Sequence, residues 1–511
     1  MKLQQFCRIF CFTLLVLTPF ISGCHILLIY PKPMTQAQRF DQLPSASAPI
    51  SARLNIYWEE HAIPFIEADN NSDLAFGLGL VNAHLRLGQL ELFRMISQGR
   101  LGEITGPVPQ VDTVDHGLRM LDLCTAGKKA YDAMALESQL WLDRFREGIN
   151  WYIGQIKEPP VEFGLLGFKP RPFSDRDIQC ISRLVAADLT WLFYLKFLQL
   201  AEQPNWQEAL SHTLKERLQD TATFSDPESP LLSKVITSLS KSGSNSLVIS
   251  KSKSSTSGAL IANDPHVGLL LPNFWMLVGL KSPDIHAFGL MIPGVPVIGV
   301  GRNPHIAWGG TNMRGISSHL IDVSGLPENQ IKTRKEVLKR RWWFDKEVEV
   351  RVSPYGPILT DLPLFDQKTQ PFTAALDWVG QRGSDELGAF LSVSKARNWN
   401  EFRESFRNYY VSAFNMLYAD SQGNIGMIPA YGQPRLMQPE DTLSFIKPIS
   451  NVIEEIISPI DQPNPFNPKS GYISSANNKP FANPIFSKHC PIMHGRIMYT
   501  LKHKIRPCVA I

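Results

Sequence analysis

The feature that most constrains this chain is a change of character near its middle. Up to about residue 204 apolar residues recur at helical spacing, as in the stripe Leu78, Val81, Leu85 and Leu92, which follows the polar run Asn70-Asn71-Ser72-Asp73. Ser72 or Asp73 reads as the cap of that helix. Further helical patterns cover about 130–155 and 177–201. Residues 205–242 are then polar and rich in Ser, Pro and Asp, a linker composition. Directly after them come two short β-prone runs, Ser246-Leu247-Val248-Ile249 and Ala259-Leu260-Ile261-Ala262, on either side of a Lys/Ser/Gly turn. They predict a hairpin that begins at Ser244 or beside it. Strands follow at about 275–279, 286–291 and 295–300, then a hairpin-like segment over 339–352 and a returning helix over 399–410. Leu54-Asn55-Ile56-Tyr57-Trp58 alternates as an early strand, and no internal repeat is present. A helical first half feeds a β-rich second half.

With 511 residues, 44% of them hydrophobic, the chain can bury a large core. A net charge of +4 with scattered Lys and Arg gives no basic tract for nucleic acid, so no nucleic-acid partner is expected. Lys2 and Arg8 precede the apolar run from Ile9 to Ile21, then Ser22, Gly23 and Cys24, the layout of an export signal. Ile21-Ser22-Gly23-Cys24 resembles a bacterial lipobox. The apolar stretch His25-Ile26-Leu27-Leu28-Ile29-Tyr30 leaves open a retained anchor of about the ~20 residues that span a bilayer. Either reading places the body outside the cytoplasm, in the periplasm or attached to the outer membrane. Seven cysteines include Cys124, Cys180, Cys490 and Cys508 beyond the leader. They show no CxxC pair and no regular spacing, so neither a zinc site nor a disulfide framework is suggested.

Gly243-Ser244-Asn245 lies at the junction of linker and strand, where a cut chain end would be held by a rigid sheet. Alone, the tripeptide is an ordinary turn before a strand. It is followed in order by Ala262-Asn263-Asp264-Pro265-His266, Pro293-Gly294-Val295-Pro296, Gly301-Arg302-Asn303 and Ile306-Ala307-Trp308-Gly309-Gly310-Thr311-Asn312. Upstream stand His61-Ala62-Ile63-Pro64-Phe65-Ile66, Ala83-His84-Leu85-Arg86-Leu87-Gly88-Gln89-Leu90 and Gly99-Arg100-Leu101. From about 51 to 496 this series resembles the penicillin acylase family of N-terminal nucleophile hydrolases.

The resemblance implies an α+β fold, a four-layer αββα sandwich with a helical α-chain region. It divides the chain into an export signal over 1–24, an α-chain-like region over 25–204, a spacer over 205–243 and a β-chain-like catalytic region over 244–511. It also implies self-cleavage between Gly243 and Ser244 and an α/β heterodimer that hydrolyses N-acyl amides such as penicillins, cephalosporins or acyl-homoserine lactones. The chemistry is coherent on its own terms. Serine is a weak nucleophile and needs a base, and a serine at a chain start carries an α-amine with pKa ~8. By the family's pattern the oxyanion donors are the Asn312 backbone N–H and the Asn477 side-chain amide, with Asn477 chosen over Asn478. The run Ser475-Ala476-Asn477-Asn478-Lys479-Pro480 also reads as a plain turn. His266 is expected near the serine across the hairpin, in a supporting role. Arg496, in His494-Gly495-Arg496-Ile497, resembles the arginine that steadies the oxyanion asparagine, or is a surface arginine.

Two departures stand out. Many family members bind calcium through carboxylates just after the Trp-Gly segment. Here Met313-Arg314-Gly315-Ile316-Ser317-Ser318-His319-Leu320 holds none before Asp322, and the α-chain acidic ligand is replaced near Ser174. A hard cation needs several oxygen ligands, so no calcium and no other cofactor is expected. The family's β-chain also runs on past the arginine motif, so the sequence reads as a truncated member, either active or an inactive homologue at the membrane surface. An ordinary Ser-His-Asp triad has no Gly-x-Ser-x-Gly elbow to carry it.

Overall fold

A computed structural model describes residues 35–187, 190–208, 243–256, 258–266, 271–313, 315–438 and 446–477. The leader, most of the spacer (209–242), Asn478 and Arg496 lie outside the described residues. The large sheet begins in the first half with β1 (Leu54–Trp58) and β2 (Pro64–Ala68). It then recruits β5 (Met276–Lys281), β6 (His286–Ile292), β7 (Val295–Arg302), β8 (Ile306–Asn312), β14 (Phe414–Asp420) and β15 (Ile425–Ala430), in that spatial order. All pairs are antiparallel except β2 with β5. A small sheet of β4 (Leu260–His266), β3 (Gly243–Ile249) and β19 (Tyr472–Ser475), with β3 in the centre, covers one face. Val248, Leu417, Ala419, Ile425 and Met427 fill the space between the two sheets.

Helices cover the other face. The helix Asn71–Ser97 packs on Leu136–Gln155, and both lie over the sheet with Glu386–Lys395. Gly79 and Gly148 permit this: a Cβ on either would fall inside the van der Waals envelope of Phe145 O or Phe76 O, so the backbones touch. The expected α+β class holds, and three layers (helix, sheet, sheet) are present among the described residues. Because β14 and β15 are covered on both faces, they read as near-continuous buried runs, not as alternating ones. The open edge of β15 is covered by the segment around Phe466, through Met427 N to Pro465 O at 3.0 Å and Asn467 N to Ile425 O at 2.9 Å.

Several local expectations shift. The cap of Asn71–Ser97 is Asn70, whose Oδ1 accepts from Asp73 N at 2.7 Å, not Ser72 or Asp73. Asp73 instead turns its carboxylate to Ser51 N and Ala52 N, and hydrogen bonds from Asn70 and Ser51 outweigh burial to hold its pKa below the usual range. The pattern over 130–155 divides at Met134 and Ala135, whose N–H is taken by Asp385 Oδ2 at 3.1 Å. That over 177–201 splits into Asp175–Val185 and Thr190–Ala201, and the returning helix is only Trp399–Glu404. Cys124 and Cys180, which spacing could not pair, form a buried disulfide between Leu123–Ala133 and Asp175–Val185.

The remaining strands lie in three smaller sheets. β10 (Lys332–Leu338), β11 (Lys346–Ser353) and β12 (Gly356–Pro357) form one. β13 (Ala374–Trp378), β9 (Ser318–Asp322) and β17 (Ile446–Pro448) form the second, and β16 (Gln433–Leu436) pairs with β18 (Ile453–Ile457). No helix among the described residues is long and apolar enough to cross a membrane.

Candidate active site

Pleating decides what β3 presents. Ser244, Ser246 and Val248 are buried toward the large sheet, while Gly243 and Asn245 lie on the outer face. In the β3–β4 register Ser244 stands opposite Pro265, and Gly243 opposite His266. Directly opposed residues share a face, so the imidazole joins Gly243 and Asn245 and not the serine hydroxyl. His266 Nε2 lies 2.9 Å from Asp264 Oδ2 and 3.3 Å from Asn245 Nδ2, and the ring is about half exposed. His266, expected near the serine in a supporting role, has its ring beside the peptide that precedes the serine. A Cβ on Gly243 would come within 3.2 Å of His266 Nδ1 and 3.6 Å of Asn477 Oδ1, so glycine keeps that peptide uncovered.

Asn477 completes the arrangement from the far end of the described chain. Its Oδ1 accepts from Ser244 N at 2.6 Å, and its Nδ2 donates to Asn312 O at 2.6 Å. One side chain therefore ties Ser244 to Asn312, across 233 and 165 positions of sequence. It reaches both because its backbone is left-handed (φ 62°), a conformation that asparagine tolerates better than most residues. The Ser244 hydroxyl donates to Gly243 O at 2.7 Å, the carbonyl of the bond expected to be cut. Asn312 meets Asn477 through its carbonyl, and the amide nitrogen of Asn477 has a second hydrogen beyond that bond.

Three further residues hold the end of β19 in place. Ser475 Oγ lies 2.7 Å from Thr311 Oγ1 and accepts from Asn415 Nδ2 at 2.8 Å. Thr311 and Asn415 are direct cross-strand partners on β8 and β14. Alternation along β8 explains the geometry: Gly309 and Thr311 face the small sheet, and a Cβ on Gly309 would collide with Asn263 of β4. Trp308 faces the helices. Thr311 and Ser475 stood inside segments already noted for their resemblance. Asn415 carried no local signal, since only its register against Thr311 makes it part of the network.

On the helical side a cavity of about 130 Å³ is lined by apolar groups including Phe274, Trp275, Val297, Phe390 and Met416. Asn312 is part of its wall and Ser244 is not. The stretch after β8 offers poor cation ligands. His319 is buried, and burial, then Lys447 and Arg382, press its pKa down to about 3. Ser174 caps Asp175–Val185 in a capping box, its hydroxyl bonded to Asp177 Oδ2 at 2.8 Å, and Asp177 also faces Arg94 at 3.6 Å.

The fold and this junction define an α+β protein that presents a buried serine at the start of a central strand, next to a glycine carbonyl and an asparagine amide. The sequence model of the penicillin amidase family matches residues 53–499, and the chain belongs to that family. It is 24% identical to the acyl-homoserine lactone acylase QuiP of Pseudomonas aeruginosa over 82% of this chain and 54% of that protein. It is 23% identical to penicillin G acylase of Escherichia coli over 86% of this chain and 60% of that protein. The chain thus spans little more than half the length of these relatives. Among solved structures, the thermostable penicillin G acylase of Alcaligenes faecalis aligns at 24% identity with a TM-score of 0.40, over 47% of this chain and 45% of that one.

Proposed function

We propose that this chain hydrolyses N-acyl amides of small molecules, with Ser244 as nucleophile after self-cleavage of the Gly243–Ser244 bond. The observation that carries the reading is the pair of contacts at that bond: the Ser244 hydroxyl on Gly243 O and the Ser244 N–H on Asn477 Oδ1. Attack of Oγ on the Gly243 carbonyl carbon forms a C–O bond. Breaking the C–N bond then passes a proton to the nitrogen and leaves an ester, which water hydrolyses. The product is a Gly243 carboxylate and a Ser244 α-amine, already placed to donate to Asn477 Oδ1. That amine is the base for the next attack, on a substrate acyl carbon. The second hydrogen of Asn477 Nδ2 and the Asn312 backbone serve the oxyanion. His266, beside Gly243, acts on the cleavage step and on the amine, not on the hydroxyl.

Both named relatives are acylases, which supports an acylated amine as substrate. The mature protein is an α/β heterodimer of an α-like chain and a chain starting at Ser244, exported and held at the membrane by the Cys24 lipid or by the leader as an anchor. No cofactor or metal takes part.

The test compares wild type with Ser244→Ala and Ser244→Cys, by intact mass and on a panel of chromogenic phenylacetyl and long-chain acyl anilides. Wild type should yield two chains, the second reading Ser244-Asn245-Ser246-Leu247. Ser244→Ala should stay whole and inert, Ser244→Cys should retain some processing, and His266→Ala should lose ~10²-fold in hydrolysis. If wild type stays one chain and matches the background of Ser244→Ala, the chain is an inactive homologue.

A further inference from the structure

The turn between β10 and β11 exposes three consecutive aromatic rings, Trp342 (80% exposed), Trp343 (60%) and Phe344 (80%). Soluble surfaces seldom carry such a run, because each ring leaves a large apolar area in water. The turn is firmly held. Arg341 N donates to Gly102 O at 2.9 Å, Trp343 N to Arg340 O at 3.2 Å, and Arg340 Nε to Phe344 O at 2.9 Å. Trp342 is kept at φ 61°, where a bulky side chain is strained, so the fold maintains at a cost a conformation that turns this ring outward.

Charge surrounds the rings. Residues 339–346 hold four cations, Lys339, Arg340, Arg341 and Lys346, against one carboxylate, Asp345, for a formal +3. Arg340 and Lys346 share the nearby Asp112 at 3.5 and 3.4 Å, and the Arg341 guanidinium lies 4.1 Å from the Trp342 ring centroid. Lys339 is exposed. Tryptophan and phenylalanine flanked by Lys and Arg suit the boundary between anionic headgroups and acyl chains, where the rings enter the apolar side and the cations stay with phosphate. A rigid aromatic turn needs no shaped groove in such a partner.

We propose that the Trp342-Trp343-Phe344 turn is a membrane-surface contact that inserts into the headgroup region of anionic phospholipid bilayers. It would fix how the body lies against a bilayer.

The test adds the full chain to vesicles of phosphatidylcholine, with or without phosphatidylglycerol, whose acyl chains carry bromine near the headgroup. Tryptophan quenching is compared between wild type and Trp342→Gly/Trp343→Ser. Glycine at 342 relieves the positive φ, so this variant is expected to melt no lower than wild type. Anionic vesicles should quench the wild type, and that quenching should fall in the variant, with a partition coefficient lower by about tenfold or more. Lys339→Glu should lower partitioning about fivefold on anionic vesicles and leave neutral ones unchanged, and Trp343→Phe should keep most of it. Equal quenching of wild type and variant, which would place any contact at the leader, overturns the proposal. So does the absence of quenching on anionic vesicles, and so does a doubled mass in solution that hides these rings in a dimer while lipid has no effect.

Discussion

The two faces of the large sheet solve opposite problems. Against the helices the contact is apolar and tight, and Gly79 and Gly148 let backbones meet where any side chain would intrude. Against the small sheet the contact is apolar at one end, around Val248 and Leu417. It is polar at the other, where Ser244, Ser246, Thr311, Asn415, Ser475 and Asn477 are all buried. Buried polar groups cost stability unless paired, and here hydrogen bonds join Ser244 to Asn477, Ser475 to Thr311 and Asn415, and Ser246 to Ala262 O. One face is thus organised for stability and the other for the placement of Ser244.

The largest effect expected on this contrast is on the helical face. Gly79→Ala with Gly148→Ala should cost about 3 kcal/mol or more in urea unfolding, because backbone cannot yield as a side chain does. A loss below ~1 kcal/mol would mean that the helices need no such close approach. On the other face, Asn477→Ala should lower anilide turnover by ~10²–10³ and cost about 1–3 kcal/mol in urea unfolding, since it removes the side-chain partner of Ser244 N and of Asn312 O, with Asn478→Ala much milder in turnover. Equal effects at the two positions would undo the assignment of Asn477.

Ser475→Ala takes away the partner of Thr311 and Asn415 and should cost about 1–3 kcal/mol, the range for a buried polar group losing its hydrogen bond. It should also slow chain cleavage, since the end of β19 carries Asn477 toward Ser244. Unchanged cleavage kinetics would separate the network from the site.

Acid probes the apolar side. His84, packed against Trp58 and Tyr152, has its pKa pressed down to about 4 by burial and then by the Arg39 charge. The unfolded chain takes up a proton near pH 6.5 that the folded chain refuses until about pH 4. Stability is therefore full above 6.5 and falls as pH drops through that window, by up to about 1.4 kcal/mol per pH unit from this group. His84→Phe should flatten that part of the slope, measured as urea midpoints at pH 7 and 5. The smallest effect is none: melting curves with calcium and with chelator should coincide. A calcium-dependent rise of several degrees would show a cation bound by the folded state alone.

Local patterns carried a good deal of this structure. The Ser/Pro/Asp-rich stretch before residue 243 and the β-prone runs after it located β3, and apolar spacing located the helix Asn71–Ser97. Cap and break positions were less legible, because Asn70 and Ser72 are equally good capping residues and the choice between them follows from where Asp73 finds Ser51 and Ala52. The Cys124–Cys180 pairing was not legible at all, since it depends on two helices meeting side by side.

By itself, then, the sequence determined the order of helices and strands, the junction at Gly243-Ser244, the family, and the identity of Asn312 and Asn477 as residues of interest. Those follow from short-range spacing and from motifs in a fixed order. Only the tertiary structure decided that His266 lies across the sheet from the Ser244 hydroxyl, that Asn477 reaches Ser244 and Asn312 together, and that Asn415 belongs with Ser475. The reason is that a side chain's face is set by strand register, and a contact across 233 residues by how two sheets stack, neither of which is a property of any local run of residues.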